Sequence, residues 1–417
     1  MSQLEQSDPV LSRLLEAERK RQATTLEMIA SENHASPAVL EAMAGIMTDK
    51  YAEGYPGKRW YCGCEVADQV EQLAIDRAKQ LFGAEHANVQ PHSGTSANLA
   101  VYLAAIKPGA KIMGMRLDQG GHLSHGLEIN LSGMIYKTVG YGVRKDTEVL
   151  DMNQVRELAR KERPDLIVCG ASAYPRTLDF KAFGQIADEV GCPLLADIAH
   201  IAGLVVGGVH PSPVPHAAFV TTTTHKTLRG PRGAIILCRK DYARAVDRAV
   251  FPGIQGGPLL HVIAAKAVAF AEAMRPEFRA YCHKVVQNAQ TLAGELANLG
   301  WRIISGGTDN HLLLVDLRPT LPELTGHAAA TWLARAGIIA NKNAIPFDTR
   351  PPFEASGVRL GTPSLTTRGM GPRQMKRVAG WIDKVLTSGG DEAKIRKVRG
   401  AVLELCGEFP VPNNGYN

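Results

Sequence analysis

Between residues 85 and 240, short apolar runs alternate with helical patterns, and this alternation restricts the fold more than any other feature of the chain. Apolar runs at 87–90, 110–116, 166–170, 193–197, 216–220 and 234–238 are each bounded by turn-forming residues and have strand length. Ahead of them 66–81, and between them 99–106 and 180–190, carry apolar residues at helical spacings of three and four. Repeats of this kind build a mainly parallel α/β sheet covered by helices. Ligands of such sheets gather at the carboxyl ends of the strands. Ser93, His122, Ser172, Asp197 and Lys226 each follow such a run, so one edge of the sheet collects the residues with chemistry.

The segment TTTTHKTLRGPRG (221–233) prolongs the 216–220 run with β-branched residues and then presents His225, Lys226 and a Gly/Pro turn. A lysine leaving a buried strand loses hydration, which lowers its pKa and makes it a nucleophile suited to Schiff-base chemistry with an aldehyde such as pyridoxal phosphate. A solvated surface cation is the competing reading. Ser93-Gly94-Thr95 sits at a strand-to-helix turn, where free backbone amides, hydroxyls and a glycine form an anion cradle; an ordinary helix cap is the alternative. Asp197 ends a strand and could hold a pyridine nitrogen protonated, or cap a helix starting near Ile198. Neither Asp197-x-x-His200 nor His122-x-x-His125 has the further ligands of a metal motif, so no metal site is expected.

Outside this region, 9–30 reads as a polar helix marked by Leu11, Leu14, Leu15 and Ile29, which packs on another domain or subunit. Ser36-Pro37 starts a further helix. The loop at 51–61 holds Tyr51, Glu53, Trp60 and Tyr61; it either lines a site or seals a subunit interface. Residues 251–258 form a Gly/Pro loop and 260–299 are helical, including a long element linking domains. From Trp301 the pattern becomes α+β: strands at 311–317, 337–341 and around Arg359, helices at 326–336, 373–388 and 392–405. Arg359 offers a bidentate partner for a carboxylate, or a surface salt bridge. The expected organisation is an N-terminal helical arm (1–50), a large α/β domain (51–275) and a small α+β domain (276–417).

Composition excludes several classes. The net charge of +6 is spread along the chain with no basic patch among aromatics, which argues against nucleic acid. The seven cysteines are odd in number and scattered; Cys62-Gly-Cys64 is the only close pair, and free thiols in a reducing compartment are expected. The most apolar long segment, 262–274, contains Lys266 and Glu272 and is too short for a bilayer. The N-terminus has no signal-peptide pattern. No membrane association and a cytoplasmic location are the expectation.

The motifs IASEN (29–33), KYAEGYPGKR (50–59), VEQLAIDRAKQLF (70–82), NVQPHSG (88–94), GGHLSHG (120–126), SAYP (172–175), TTTTHKTLRGPRG, PGIQGGP (252–258), SGGTDNHL (305–312), NKNAIP (341–346) and SGVRLGTP (356–363) together resemble the serine hydroxymethyltransferase family over residues 26–409. The resemblance implies a fold-type I, aspartate aminotransferase-like enzyme: a mainly parallel seven-stranded sheet in the large domain and an α+β C-terminal domain. It implies pyridoxal 5'-phosphate as cofactor, tetrahydrofolate as co-substrate, and a homodimer or tetramer with shared sites, the N-terminal arm at the dimer interface. The activity implied is reversible conversion of L-serine and tetrahydrofolate to glycine and 5,10-methylenetetrahydrofolate. An α-methylserine hydroxymethyltransferase or a folate-independent β-hydroxy-amino-acid aldolase is the alternative.

Matching residues carry the implied roles. Lys226 would be the Schiff-base lysine flanked by His225. Asp197 would pair with the ring nitrogen and His122 would stack on the ring. Ser93, Gly94 and Thr95 would hold the phosphate, with Gly257 from the partner subunit. Ser172 and His200 would serve the ring oxygen. Arg359, assisted by Ser31, would bind the amino-acid carboxylate, with Arg232 beside the substrate. Glu53 would transfer protons near the substrate. Tyr51 and Tyr61 would come from the neighbouring subunit. Leu117, Gly121, Asn343 and Trp60 would contact folate. The sequence departs from the family pattern at Trp60 (usually tyrosine), Cys62 (a common glycine), Thr95 (commonly serine), Gln119 (a frequent histidine) and Ile254.

Overall fold

The computed structural model describes residues 2–413. The chain forms two compact units, Ala38–His283 and the pair of segments Met1–Pro37 and Lys284–Asn417.

In Ala38–His283, seven strands form one sheet: β1 (His86–Asn88), β2 (Lys111–Met115), β3 (Lys137–Tyr141), β4 (Leu166–Gly170), β5 (Leu194–Asp197), β6 (Phe219–Thr223) and β7 (Ala234–Cys238). Their order is β1-β7-β6-β5-β4-β2-β3. The pairs from β6 through β3 are parallel, and β7 runs antiparallel to both β6 and β1. Every residue of β4, β5, β6 and β7 is buried. Sheets covered on both faces select such unbroken apolar or β-branched runs. The edge strand β3, Lys-Thr-Val-Gly-Tyr, is largely exposed and lacks an apolar run, which is why the sequence does not announce it.

Helix α1 (Glu65–Phe82) buries Ala67, Glu71, Ala74 and Ala78 on one face and ends at Gly83 in the left-handed conformation, φ +68°. It packs along α3 (Leu260–Ala273). Between them in the chain, α2 (Gly94–Ala105) follows β1 and buries Ala97, Ala100, Val101 and Tyr102 in the core under β6 and β7. Ile254 packs on the border of that same core, so this departure from the family pattern is a packing residue.

The second unit holds an antiparallel four-stranded sheet in the order Arg302–Ile303, Leu312–Asp316, Gly357–Gly361, Asn341–Asn343. The helices Gly326–Arg335, Pro372–Leu386 and Glu392–Glu408 belong to it. The expected 1–50 arm divides at residue 37, because Leu26 and Met28 are core residues of this unit and Leu26–Glu27 pairs in parallel with Ile338–Ile339. The expected 9–30 helix therefore stops at Ala23, and the two units part between His283 and Lys284, inside the helix Pro276–Asn298, where the boundary was expected at 275/276. Leu11, Leu14 and Leu15 on Pro9–Ala23 stay exposed. All seven cysteines are free thiols. Among the described residues, no helix is long and apolar enough to cross a membrane.

Candidate active site

Turns at the carboxyl ends of the strands enclose a cavity of about 190 Å³ within Ala38–His283. Ten of the expected residues line it: Ser93, Gly94, Thr95, His122, Ser172, Asp197, His200, His225, Lys226 and Arg232. His125, Ala171, Ala199 and Thr223 complete the wall.

Ser93 caps α2. Its Oγ accepts from Ser96 N at 3.3 Å, and Ser96 Oγ accepts from Ser93 N at 3.0 Å. The amides of Gly94 and Thr95 stand in the first turn, where no intrahelical acceptor exists, and carry the positive end of the helix dipole. A Cβ on Gly94 would lie 3.0 Å from Thr223 Cγ2, so glycine lets this turn sit against β6. The cap reading and the cradle reading of Ser93 are thus compatible: the cap fixes the turn and leaves two amides for an anion.

The carboxylate of Asp197, 9% exposed, also lines the cavity. Its Oδ2 accepts from Asn98 Nδ2 at 2.8 Å and from His125 Nε2 at 2.9 Å, and its Oδ1 accepts from Ala199 N at 3.0 Å. Burial works to raise this carboxyl, but the hydrogen bond and charge of His125, the charge of His122 and the Asn98 bond hold it well below the usual carboxylate range. The next helix begins only at Ala202, so Asp197 is not its cap. Asn98 is fixed in turn by Thr221, whose Oγ1 donates to Asn98 Oδ1 at 2.6 Å.

His122 Nδ1 accepts from Ser124 N at 3.2 Å and pairs with Ser124 Oγ at 2.7 Å. Burial pushes this imidazole down to about 4 against the pull of Asp197, so the ring is neutral at pH 7. His225 is likewise pushed down to about 4, first by burial and then by the charges of Arg232 and Lys226. Nitrogens of His122 and His125 and an Asp197 oxygen lie within 4.8 Å of one another, a convergence the expectation of no metal site did not foresee. These atoms are committed to each other and to Asn98 and Ser124 by the hydrogen bonds above.

His125 and Asn98 are the functional side chains that sequence reasoning missed. The His-x-x-His spacing in GGHLSHG has no metal-motif ligands around it and names no partner for His125; β5 supplies that partner in Asp197.

Glu53, Tyr51, Tyr61 and Gly257 do not line this cavity. They form a second cluster, with Tyr51 and Tyr61 exposed and Glu53 and Gly257 half-buried. Tyr51 OH donates to Glu53 Oε1 at 3.0 Å and Tyr61 OH to Glu53 Oε2 at 3.2 Å, with the two rings 5.5 Å apart edge to face. A Cβ on Gly257 would be 3.0 Å from Tyr51 ring carbons. Trp60, 75% exposed, lies on the same loop, and its backbone N–H donates to Glu53 O at 3.0 Å. Leu117 is half-exposed in the turn after β2, and Gly121 is buried with its N–H on Arg116 O at 2.9 Å. Gln119, in the same turn, is buried and accepts from Val143 N at 2.8 Å.

Arg359, Asn343 and Ser31 belong to the other unit. Arg359 lies opposite Asn341 in the sheet, and its Nε donates to Asn341 Oδ1 at 3.1 Å. Burial pushes its guanidinium down to about 10. Asn343 pairs with Gly357 on the neighbouring strand. Ser31 follows Ala30, whose backbone abuts Gly361, two residues beyond Arg359.

A half-buried lysine, a fixed carboxylate and a helix N-terminus around one cavity match the needs of a phosphorylated pyridine aldehyde. The family model for serine hydroxymethyltransferase matches residues 4–382. The chain belongs to the serine hydroxymethyltransferase family. Enzymes of this family are pyridoxal-phosphate-dependent glycine hydroxymethyltransferases of fold type I, and the seven-stranded, mostly parallel sheet here is that α/β architecture.

Proposed function

We propose that this chain catalyses the reversible transfer of a hydroxymethyl group between L-serine and tetrahydrofolate, with pyridoxal 5'-phosphate held in the cavity around Lys226. The observation that carries this reading is that the α2 N-terminus, the Asp197 carboxylate and Lys226 line one cavity. The donor set fits the cofactor. Ser93, Gly94 and Thr95 take the phosphate, and Thr95 retains the hydroxyl of the more usual serine. Asp197, ionised and fixed by His125 and Asn98, meets the ring nitrogen. The neutral His122 ring covers one face, and Ser172 and His200 serve the ring oxygen. Lys226, with His225 beside it, is the covalent anchor.

When bound, pyridoxal phosphate supplies an electron sink for the pair left as the Cα–Cβ bond of serine breaks. The chain's own residues do the rest. Arg359, with Ser31, binds the amino-acid carboxylate in a bidentate fork, and Arg232 adds positive charge at the cavity wall. Glu53 moves the proton of the hydroxymethyl oxygen, positioned by the Tyr51 and Tyr61 hydroxyls. Because Glu53, Tyr51, Tyr61 and Gly257 form one cluster away from the cavity of this chain, they act together, in the site of a partner copy. The exposed Leu11, Leu14 and Leu15 face supports an N-terminal arm that packs on that copy in a homodimer or tetramer. Leu117, Gly121, Asn343 and Trp60 are the proposed folate contacts. A cytoplasmic location accords with seven free thiols.

The test is the purified protein assayed for glycine formation from serine with and without tetrahydrofolate. Strong folate dependence is expected, with a new visible absorbance band only when glycine and tetrahydrofolate are both present. Little folate dependence together with fast allo-threonine cleavage would replace this reading with an aldolase. Lys226→Ala should lose serine turnover by at least a thousandfold while keeping wild-type circular dichroism; turnover at the wild-type rate would refute the role of Lys226.

A further inference from the structure

The two clusters are joined inside the fold by a chain of buried polar groups centred on Gln90. Gln90 is 2% exposed and stands three residues before Ser93. Its side-chain amide donates to Glu71 Oε1 at 2.7 Å and to Gly54 O at 2.8 Å. Glu71 is fully buried, and its other oxygen accepts from Arg59 Nη2 at 2.6 Å. Arg59 Nη1 donates to Ala52 O at 3.0 Å and Gly54 O at 2.8 Å. The backbone on both sides of Glu53 is thereby fixed to Gln90 and Arg59.

Gln255 makes a second link. Its Nε2 donates to Gln90 O at 3.0 Å and its Oε1 accepts from His92 N at 3.0 Å. His92 precedes Ser93, the cap of the anion cradle. Gly256, next to Gln255, packs on Glu53: a Cβ there would be 3.4 Å from Glu53 Oε1. Lys266, 1% exposed on α3, clamps the same turn by donating to Val89 O at 2.6 Å, Pro91 O at 3.2 Å and Ala234 O at 2.8 Å. The turn from residue 89 to 92 therefore has few ways to move without shifting Gln90 and Gln255. Discrete buried hydrogen bonds transmit such shifts because leaving a member unpaired is costly.

We propose that Gln90 and Gln255 are positioning residues that couple occupancy of the anion cradle to the placement of Glu53. The inference rests on the reading of the cradle as a phosphate site. If Glu53 serves a partner's cavity, the same link connects the two sites of a dimer: an anion bound in one cavity sets the acid presented to the other.

Trp60 gives a direct readout, because it is the only tryptophan in Ala38–His283; the others are Trp301, Trp332 and Trp381. The full chain, freed of pyridoxal phosphate, is titrated with inorganic phosphate while tryptophan emission is followed. Phosphate binding is measured in parallel by calorimetry. The wild type should show a saturable emission change that Trp60→Phe abolishes. Gln255→Met removes both hydrogen bonds at a half-buried position. It should bind phosphate five- to tenfold more weakly, the size of one lost hydrogen bond. At saturation it should give less than a third of the emission change. Gln255→Glu, which keeps the acceptor for His92 N, should recover part of the affinity and serves if Gln255→Met fails to fold. In the cofactor-loaded enzyme, Gln255→Met should lower kcat with the KM for serine within twofold of wild type. Full emission change in Gln255→Met at saturation, or wild-type phosphate binding without any Trp60 response, would overturn the coupling alone. A wild type that binds neither phosphate nor pyridoxal phosphate would overturn the cofactor reading and the coupling with it.

Discussion

Asp197→Asn is the substitution for which the structure gives the most detailed expectation. The carboxylate accepts three hydrogen bonds, from His125 Nε2, Asn98 Nδ2 and Ala199 N. Asparagine can still accept from Ala199 N through its single oxygen. Its amide nitrogen then faces Asn98 Nδ2, donor against donor. Asn98 cannot simply flip, because its Oδ1 already accepts from Thr221. His125 can become an acceptor only by moving its proton to Nδ1, a buried atom with no hydrogen-bond partner. The variant thus loses one charge-assisted bond and gains an unsatisfied buried group, together about 2–4 kcal/mol. The assay is urea unfolding of wild type and variant without pyridoxal phosphate, so that cofactor affinity does not enter the comparison.

The pH dependence adds a second check. The folded-state carboxyl is held below its unfolded value of about 3.9, so its stability contribution is full above that value and lost only as pH falls through the depressed one. The difference between wild type and variant should therefore be constant from pH 6 to 8 and narrow only in strong acid. A difference under about 0.5 kcal/mol at pH 7, against the 2–4 kcal/mol expected from those bonds, would refute the account of a charged, bonded Asp197.

Other outcomes follow from the same geometry. His34, His122 and His225 are each pushed down to about 4, chiefly by burial. Their unfolded pKa is about 6.5, so stability should fall as pH drops from about 6.5 to 4, by up to roughly 1.4 kcal/mol per unit for each histidine; a flat urea midpoint across that window would contradict it. Gly257→Ala should displace the Tyr51 ring, since the new Cβ would lie 3.0 Å from it. Serine turnover should fall about tenfold or more with the urea midpoint nearly unchanged, and unaltered turnover would place Tyr51 outside the reaction. Arg359→Lys keeps a cation but loses the bidentate fork, so KM for serine should rise by roughly 10- to 100-fold; an unchanged KM would move carboxylate recognition elsewhere.

Much of the α/β unit could be read along the chain, because its central strands are buried on both faces and must be apolar or β-branched throughout. Leu166–Gly170, Ala234–Cys238 and the helix Phe180–Val190 fall where their patterns place them. The edge strand Lys137–Tyr141 lacks such a pattern, since most of it is exposed or half-exposed, and the helix Met152–Glu162 buries only Val155 and Ala159 among polar residues. The residues at the strand ends were legible for the same reason as the strands: a parallel sheet delivers its loops to one edge.

Partner identity was not legible. That His125 fixes Asp197 depends on residues 72 positions apart meeting at β5. That Glu53 gathers Tyr51, Tyr61 and Gly257 away from the Lys226 cavity depends on where the 51–61 loop packs, which no local period encodes. Residues 26–28 look like the tail of a helix, yet they pair with Ile338–Ile339 because the second unit's core needs Leu26 and Met28. The sequence by itself therefore determined the central strands and the edge where candidate residues, Lys226 among them, collect, both consequences of local periodicity and residue type. Only the tertiary structure decided which buried polar groups satisfy one another, because a hydrogen bond depends on distance in space and not on separation in the chain.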